Sequence, residues 1–239
     1  MGISNLIVND EAKIEFKDIQ FSEENKTILT TFLKEFSHIE ALSKYSLSVD
    51  NKILLYGHTG CGKTTTAKAI AKHLNKKIYS IDLSTIVSAR LGETSKNVSE
   101  VFKKAALEKA VLFIDEFDYL GASRNDDKKD SAEMQRLVNT IIQLIDYYPN
   151  DALLIAATNY SDVIDTALLR RFQLKIKFEL PTQIELDTYY ADLLKEFPKE
   201  FHQFHRRYNI SFAEAKTILH QAIKKQIINN EEQKQALKD

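Results

Sequence analysis

The sequence predicts an α/β fold, an αβα sandwich around a parallel five-stranded sheet, followed by a small C-terminal α-helical lid. Short, largely apolar runs alternate with longer amphipathic segments up to residue 178, and no strand-like run follows Pro181. Only six Gly and three Pro interrupt the 239 residues, so most of the chain is expected to be regular. Apolar strands separated by helices are typical of a parallel sheet that is covered on both faces.

The alternation begins with an amphipathic helix over residues 22–44. Ser22 is its candidate N-cap, acidic residues follow in the first turn, and apolar residues recur at helical spacing. The next expected elements are strand 52–56, helix 65–74, strand 78–81, helix 94–109, strand 111–114, helix 132–146, strand 153–156 and strand 174–178. After Pro181 we expect helices at 182–196, 199–207 and 211–228. This order divides the chain into a tail and linker (1–21), the sandwich (22–180) and the lid (181–239).

Charge and cysteine content exclude several classes of protein. The 33 basic residues balance 34 acidic ones, which disfavours a general role in binding nucleic acid or an anionic membrane surface. The single cysteine excludes an intramolecular disulfide and is typical of a reducing cytosol. No secretory signal opens the chain, and its apolar runs are far shorter than the roughly 20 residues that span a bilayer. We therefore expect a cytoplasmic protein with no membrane partner.

A phosphate-binding motif lies between a predicted strand and a predicted helix. Residues 57–64 read GHTGCGKT and match G-x-x-x-x-G-K-[ST]. Such a loop turns backbone N–H groups toward nucleotide phosphates, so we expect Lys63 to neutralise phosphate oxygens of ATP and the Thr64 hydroxyl to ligate Mg²⁺. The alternative is an ordinary glycine-rich turn, which the complete motif in this context disfavours. The residues assigned to the nucleotide here are Gly57, His58, Thr59, Gly60, Cys61, Gly62, Lys63, Thr64 and Thr65.

Two carboxylates end another predicted strand, in the run VLFIDE at 111–116. A parallel strand delivers such residues to the carboxyl edge of the sheet, beside the phosphate loop. We expect Asp115 to hold Mg²⁺ and Glu116 to polarise an attacking water, a combination that favours hydrolysis. The alternative is a pair of solvated acids, which the motif upstream disfavours.

These motifs resemble those of the AAA+ ATPases, a group of P-loop NTPases, and within them the AAA branch. FKDI at 16–19 is similar to the linker of the family and implies nucleotide contacts for Asp18 and Ile19. IDEFDYLGASR at 114–124 resembles the extended Walker B motif of the family. The resemblance implies that Asp118 is an intersubunit acid, and it extends to Arg124, which matches the arginine of that motif. AATN at 156–159 resembles the sensor segment, which implies that Asn159 orients the water and the γ-phosphate.

A further segment of the resemblance implies an active site shared between subunits. DTALLRRFQLKIKFELP at 165–181 resembles the second region of homology, and its RRF form is similar to katanin- and spastin-like members. Arg170 and Arg171 match the paired arginines, one of which would act as an arginine finger on the nucleotide of the next subunit. The resemblance therefore implies a homo-oligomeric ring, a hexamer. SARLGET at 88–94 aligns with the pore loop of the family, with Arg90 in place of the aromatic residue.

Three functions follow as alternatives. The first is Mg²⁺-dependent ATP hydrolysis by a ring that remodels a protein partner. The second is a nucleotide-gated scaffold or regulator of a partner protease or effector that does not thread polypeptide, which Arg90 and the short segment before the linker favour. The third is a DNA-directed loader, which the balanced charge disfavours.

Overall fold

The computed structural model describes residues 8–9, 14–85, 91–122 and 128–236 of the chain. Arg90 and Arg124, to which the resemblance assigns roles, lie outside these residues. The described residues form two compact units. The sheet unit consists of those within Met1–Gly57 and Lys63–Phe178, and the helical unit of those within His58–Gly62 and Glu179–Asp239.

The sheet unit is built on strands β1 (Val8–Asn9), β2 (Lys52–Gly57), β3 (Ile78–Asp82), β4 (Val111–Asp115), β5 (Leu153–Thr158) and β6 (Leu174–Phe178). Their order in the sheet is β1-β3-β4-β5-β2-β6. The five strands from β3 to β6 in that order pair in parallel, so the predicted α/β fold with a five-stranded parallel sheet is confirmed. The two-residue β1, which the sequence did not predict, pairs antiparallel with β3 at the edge.

The helices of the sheet unit are α1 (Glu23–Ser37), α2 (Ile39–Ser43), α3 (Lys63–His73), α4 (Leu91–Leu107), α5 (Tyr119–Ala122), α6 (Lys128–Asp146) and α7 (Thr166–Leu169). Short 3₁₀ turns lie at Phe16–Asp18 and Ser161–Val163. All six residues of β5 are buried, as a central parallel strand requires, and the side chains of α4 and α6 pack with β4 and β5 in the main core.

The single helix expected over residues 22–44 is wrong, because the structure divides it at His38. Ser22 does cap α1, accepting a hydrogen bond from Asn25 N at 3.3 Å. At the other end His38 leaves the helical conformation, with φ −112° and ψ 20°. Its ring Nδ1 donates to Lys34 O at 2.8 Å, and the Ser37 hydroxyl donates to Leu33 O at 2.7 Å. These local bonds to the preceding turn offer the backbone an alternative to continuing the helix.

The helical unit contains α8 (Gln183–Leu194), a 3₁₀ turn at Lys199–Phe201 and α9 (Phe212–Ala236). Its core consists of Leu186, Tyr190, Leu194, Ala215, Leu219 and Ile223. The helix predicted at 199–207 is wrong, because beyond the 3₁₀ turn the chain is not helical. Alternate side chains there contact α8: the Phe204 ring lies 5.2 Å from that of Tyr190, and Arg206 and Tyr208 both donate to Asp187. This period of two is that of an extended chain.

Within the described residues, no helix has both the length and the apolar character that crossing a bilayer would require.

Candidate active site

Four parallel strands bring their carboxyl ends to one edge of the sheet. β2 ends at Gly57, β3 at Asp82, β4 at Asp115 and β5 at Thr158. The register pairs Asp82 with Asp115. Clustering of polar strand ends is a direct consequence of parallel pairing, and ligands of open α/β sheets bind at this edge.

Gly57 ends β2 in a conformation that only glycine adopts without strain. Its φ is +124°, and a Cβ on it would lie 2.1 Å from the carbonyl oxygen of Phe178 on β6. Six residues later, Lys63 begins α3 with only 7% of its surface exposed. Its Nζ donates to Gly57 O at 2.7 Å. The start of the motif therefore holds its lysine close to the end of β2.

We expect Gly57→Ala to lower the free energy of unfolding by about 2 kcal/mol or more, because the new Cβ meets backbone of the neighbouring strand. Denaturant unfolding measures this change. Gly62→Ala is the matched control: Gly62 also has a positive φ, +100°, but nothing lies within 4 Å of a Cβ placed there. It should lose only the conformational cost, about 1 kcal/mol. Equal losses in both variants would contradict the close approach at Gly57.

The centre of the motif, His58–Gly62, belongs to the helical unit, where the first turn of α9 supports it. Ala213 N donates to Gly60 O at 3.1 Å, and a Cβ on Gly60 would lie 2.7 Å from Ser211 Oγ. Ser211 caps α9 together with Glu214, whose carboxylate accepts from the Ser211 backbone N–H at 2.8 Å. Cys61 is buried, whereas His58 and Thr59 are exposed.

Two oxygen-bearing side chains that could bind a metal ion, those of Thr64 and Asp115, meet beside Lys63. The Thr64 hydroxyl donates to Asp115 Oδ2 at 3.0 Å, and the other Asp115 oxygen accepts from Glu116 N at 3.0 Å. A hydroxyl and a carboxylate are ligands that Mg²⁺ prefers. Within the residues that the structure describes, no group of three His, Cys, Asp or Glu side chains is placed to hold a metal ion. Thr65, the last residue assigned from the motif, follows on α3 and is half-buried.

Glu116 occupies a strained position directly after β4. Its φ is +52°, in the left-handed region that non-glycine residues rarely adopt, and such strain is typical of functional sites. Its carboxylate accepts a long hydrogen bond from Asn159 Nδ2, 3.4 Å away, just after the end of β5. The structure thus brings together the two residues that were expected to act on the attacking water.

The electrostatic surroundings of Glu116 favour its protonated form. Burial is the largest cause that raises the pKa of its carboxyl above the ordinary value. The neighbouring carboxylates raise this pKa further, in the order Asp118, Asp115 and Asp82, and the ammonium of Lys63 lowers it. Among the described residues, the carboxylates around Glu116 therefore outnumber the buried ammonium of Lys63. This excess of negative charge suits a bound cation.

Sequence reasoning missed two contributors to this edge. Asp82, which adds to the negative charge around Glu116, ends a strand just as Asp115 does, and that shared pattern could have indicated it. Thr158 ends β5 directly before Asn159, and its hydroxyl donates to Asp118 Oδ1 at 2.7 Å. Nothing in the sequence pairs two residues that lie 40 positions apart.

The two arginines of the RRF segment differ sharply in their surroundings. Arg171 is held within its own chain: its Nε and Nη2 donate to the two oxygens of Asp146, at 3.2 and 3.4 Å, and its Nη1 donates to Ala167 O at 2.7 Å. Arg170 is exposed, and among the described residues its guanidinium has no hydrogen bond or ion pair. Arg170 is thus the exposed arginine of the pair, whereas the Arg171 side chain, which is 30% exposed, is bound within its own chain.

Asp18 and Ile19 lie at the other end of α3 from Lys63. The 3₁₀ turn that contains Asp18 packs on α3, and Ile19 lines a pocket of about 760 Å³ together with His73 in the last turn of that helix. An 11-residue helix is about 16 Å long. The structure therefore does not bring the linker residues to the phosphate end, and their part in nucleotide binding stays a prediction.

Comparison with known proteins places these features in a family. The profile of the family described as "ATPase family associated with various cellular activities (AAA)" matches residues 53–180. An uncharacterised AAA family ATPase of Sinorhizobium fredii is 34% identical over 221 residues, which cover 91% of this chain and 67% of that protein. A proteasome-activating nucleotidase of Thermococcus gammatolerans is 34% identical over 182 residues, covering 73% of this chain but 46% of that protein.

Among solved structures, the crystal structure of the FIGL-1 AAA domain has the same fold. It matches with a TM-score of 0.68 at 23% identity, over 83% of this chain and 67% of that chain. This chain thus spans about two thirds of some relatives and less than half of the nucleotidase.

Proposed function

Since the chain belongs to the AAA family of ATPases and hydrolyses ATP, we propose that it does so with Mg²⁺, in a ring of identical subunits, to remodel a protein partner. The observation that carries this proposal is the convergence of five groups on one edge of the sheet. They are the Lys63 ammonium, the Thr64 hydroxyl, the Asp115 and Glu116 carboxylates and the Asn159 amide.

The residues present fit ATP and Mg²⁺. The loop 57–65 supplies glycines with positive φ and a buried lysine, as phosphate groups require. Thr64 and Asp115 would hold the metal through hard oxygen atoms, in surroundings with surplus negative charge. Bound Mg²⁺ supplies neutralisation of the charge that develops on the phosphates.

Glu116 is the proposed general base. Its raised pKa improves its ability to take a proton from water, because a catalytic base works best when its pKa lies near the working pH. The Asn159 side chain, which donates to Glu116, would orient the same water. Lys63 would bind the β- and γ-phosphates.

We expect Lys63→Ala to weaken ATP binding about 100-fold or more, because a buried charge-assisted contact to phosphate is lost. Titration with a fluorescent ATP analogue measures the dissociation constant. Lys34→Ala, which removes an exposed lysine from α1, is the control and should bind as the unchanged protein does. Unchanged affinity in Lys63→Ala would contradict the assignment of the loop.

Arg170 is the proposed arginine finger. It is the arginine of the pair whose guanidinium is available to a neighbouring subunit, whereas Arg171 would hold the segment in place through Asp146. An active site completed in this way requires a ring, which we propose to be a hexamer. Mass measurement with ADP and with ATP tests the assembly, and a monomer that hydrolyses ATP at full rate would contradict it.

A partner protease or effector is a second candidate for what the ring serves. The name of the archaeal relative, a proteasome-activating nucleotidase, supports a nucleotide-gated regulator of such a partner. The two functions differ in one measurement: an unfolded protein should stimulate the ATPase of a remodelling ring and leave that of a scaffold unchanged. The cytoplasm is the proposed location for either.

A further inference from the structure

A side-chain bridge joins the turn after β4 to the end of β5. Asp118 Oδ1 accepts the Thr158 hydroxyl at 2.7 Å and the backbone N–H of Asn159 at 3.3 Å. Thr158 is only 1% exposed, and its oxygen also accepts from Tyr160 N at 3.0 Å. This buried hydroxyl therefore donates one hydrogen bond, to Asp118, and accepts another, from the backbone N–H of Tyr160.

This bridge joins the two segments beyond the point where the backbone pairing of β4 and β5 ends. The last paired residues of β4 and β5 are Ile114 and Ala156. One more backbone bond follows, from Phe117 N to Ala157 O at 2.9 Å. Beyond it, the bonds that join the two segments are those that Asp118 accepts from Thr158 and Asn159, together with the long contact to Glu116.

The direct contact between Glu116 and Asn159 is weak. At 3.4 Å it is longer than the N–H···O hydrogen bonds of roughly 2.7–3.2 Å that are common in proteins, and the bond from Asn159 N to Asp118, at 3.3 Å, is little shorter. The strong contact behind Asn159 is the 2.7 Å bond that the Thr158 hydroxyl donates to Asp118. Glu116 is also in a left-handed conformation, which persists only where surrounding contacts determine it. The distance between the Glu116 and Asn159 side chains therefore depends on the bridge that Asp118 forms with Thr158 and the Asn159 backbone.

We propose that Thr158 is a positioning residue for ATP hydrolysis, whose hydroxyl, through Asp118, fixes Asn159 against Glu116. Asp118 thereby acts within its own chain, in a role different from the intersubunit acid that the resemblance implies. The inference rests on the proposed roles of Glu116 and Asn159. It adds a residue that touches neither nucleotide nor water and still sets the turnover rate.

The first test replaces the hydroxyl alone. Thr158→Val keeps the shape of the side chain and should lower kcat about 10- to 100-fold, since small displacements of catalytic groups have effects of this size. ATP affinity should stay within about twofold, because Lys63 and Thr64 are untouched. Thr158→Ser restores the hydroxyl and should bring kcat back to within about threefold of the unchanged protein. Thr27→Val, which removes an exposed hydroxyl that donates to Glu23 O within α1, is the control.

The second test asks whether Thr158 acts through Asn159. In an Asn159→Ala background, Thr158→Val should change kcat by no more than about twofold, because residues that act as a unit are not additive. Asp118→Asn keeps an acceptor oxygen and should retain kcat within about fivefold if the bridge is what matters.

Four results would overturn the inference. The first three are unchanged kcat in Thr158→Val, equal losses of kcat and ATP affinity in that variant, and full additivity with Asn159→Ala. The fourth is a loss of kcat in Asp118→Asn as large as that in Thr158→Val, which would favour an ion pair between subunits instead. The proposed function fails separately, if Glu116→Gln and Asn159→Ala both turn over ATP at the unchanged rate.

Discussion

Glu116→Gln should lower ATP turnover about 10²- to 10⁴-fold and leave ATP binding within about threefold, because the amide cannot accept the proton of the attacking water. The substitution keeps the size of the side chain and an oxygen that Asn159 Nδ2 can donate to. Binding depends on the loop and on Lys63, whose side chain and hydrogen bond to Gly57 O the substitution leaves in place. The variant should therefore accumulate in its ATP-bound state.

Phosphate release and nucleotide titration measure the two quantities, and mass measurement with Mg-ATP reports assembly. If ATP closes the ring, Glu116→Gln should remain assembled for as long as ATP is present. Glu24→Gln, an exposed acid on α1, is the matched control and should behave as the unchanged protein. Wild-type turnover in Glu116→Gln would remove Glu116 from the catalytic role.

Arg170→Ala should lower turnover about 10³-fold or more, because an arginine finger stabilises the charge of the transition state by that amount, and ATP binding should be retained. Arg171→Ala should act differently, because the Arg171 guanidinium donates hydrogen bonds to Asp146 and to Ala167 O within its own chain. We expect a modest loss of stability, at most about 1 kcal/mol for a partly exposed ion pair, and a smaller loss of turnover. The larger effect in Arg171→Ala would contradict the assignment of Arg170 as the finger.

Mixing two inactive variants separates action between chains from action within one. In a mixed ring of Arg170→Ala and Glu116→Gln, some interfaces pair an intact Glu116 with an intact Arg170 of the next subunit. The mixture should therefore regain part of the activity that each variant lacks, as measured by phosphate release. Absence of recovery, with co-assembly demonstrated by mass, would indicate that each chain acts on its own nucleotide.

Local sequence patterns predicted most of the sheet unit because its central strands, such as β5, are apolar on both faces and its long helices are amphipathic. The failures lie where side chains decide the backbone. The break at His38 depends on two hydrogen bonds to the preceding turn, and the extended chain after Phe201 depends on Asp187, which accepts from Arg206 and Tyr208. A periodic pattern of apolar residues contains neither contact.

Residues of the candidate site could be predicted where they belong to one short stretch of sequence, and could not where they lie far apart in the chain. Lys63, Thr64, Asp115 and Glu116 belong to short motifs, and the structure brings them together with Asn159. The partnership of Asp118 with Thr158 spans 40 residues, so only the fold reveals it. The difference between Arg170 and Arg171 likewise depends on Asp146, which no motif includes.

The left-handed backbone of Glu116 has a consequence for laboratory evolution of this protein. Glycine at position 116 would remove both the unfavourable φ and one carboxylate from a crowded group of negative charges. The variant should therefore withstand a higher temperature. A library selected only for heat resistance should therefore enrich Glu116→Gly early, together with Glu116→Gln. The survivors would be robust proteins that no longer hydrolyse ATP, so selection for thermostability in this chain has to include turnover from the first round.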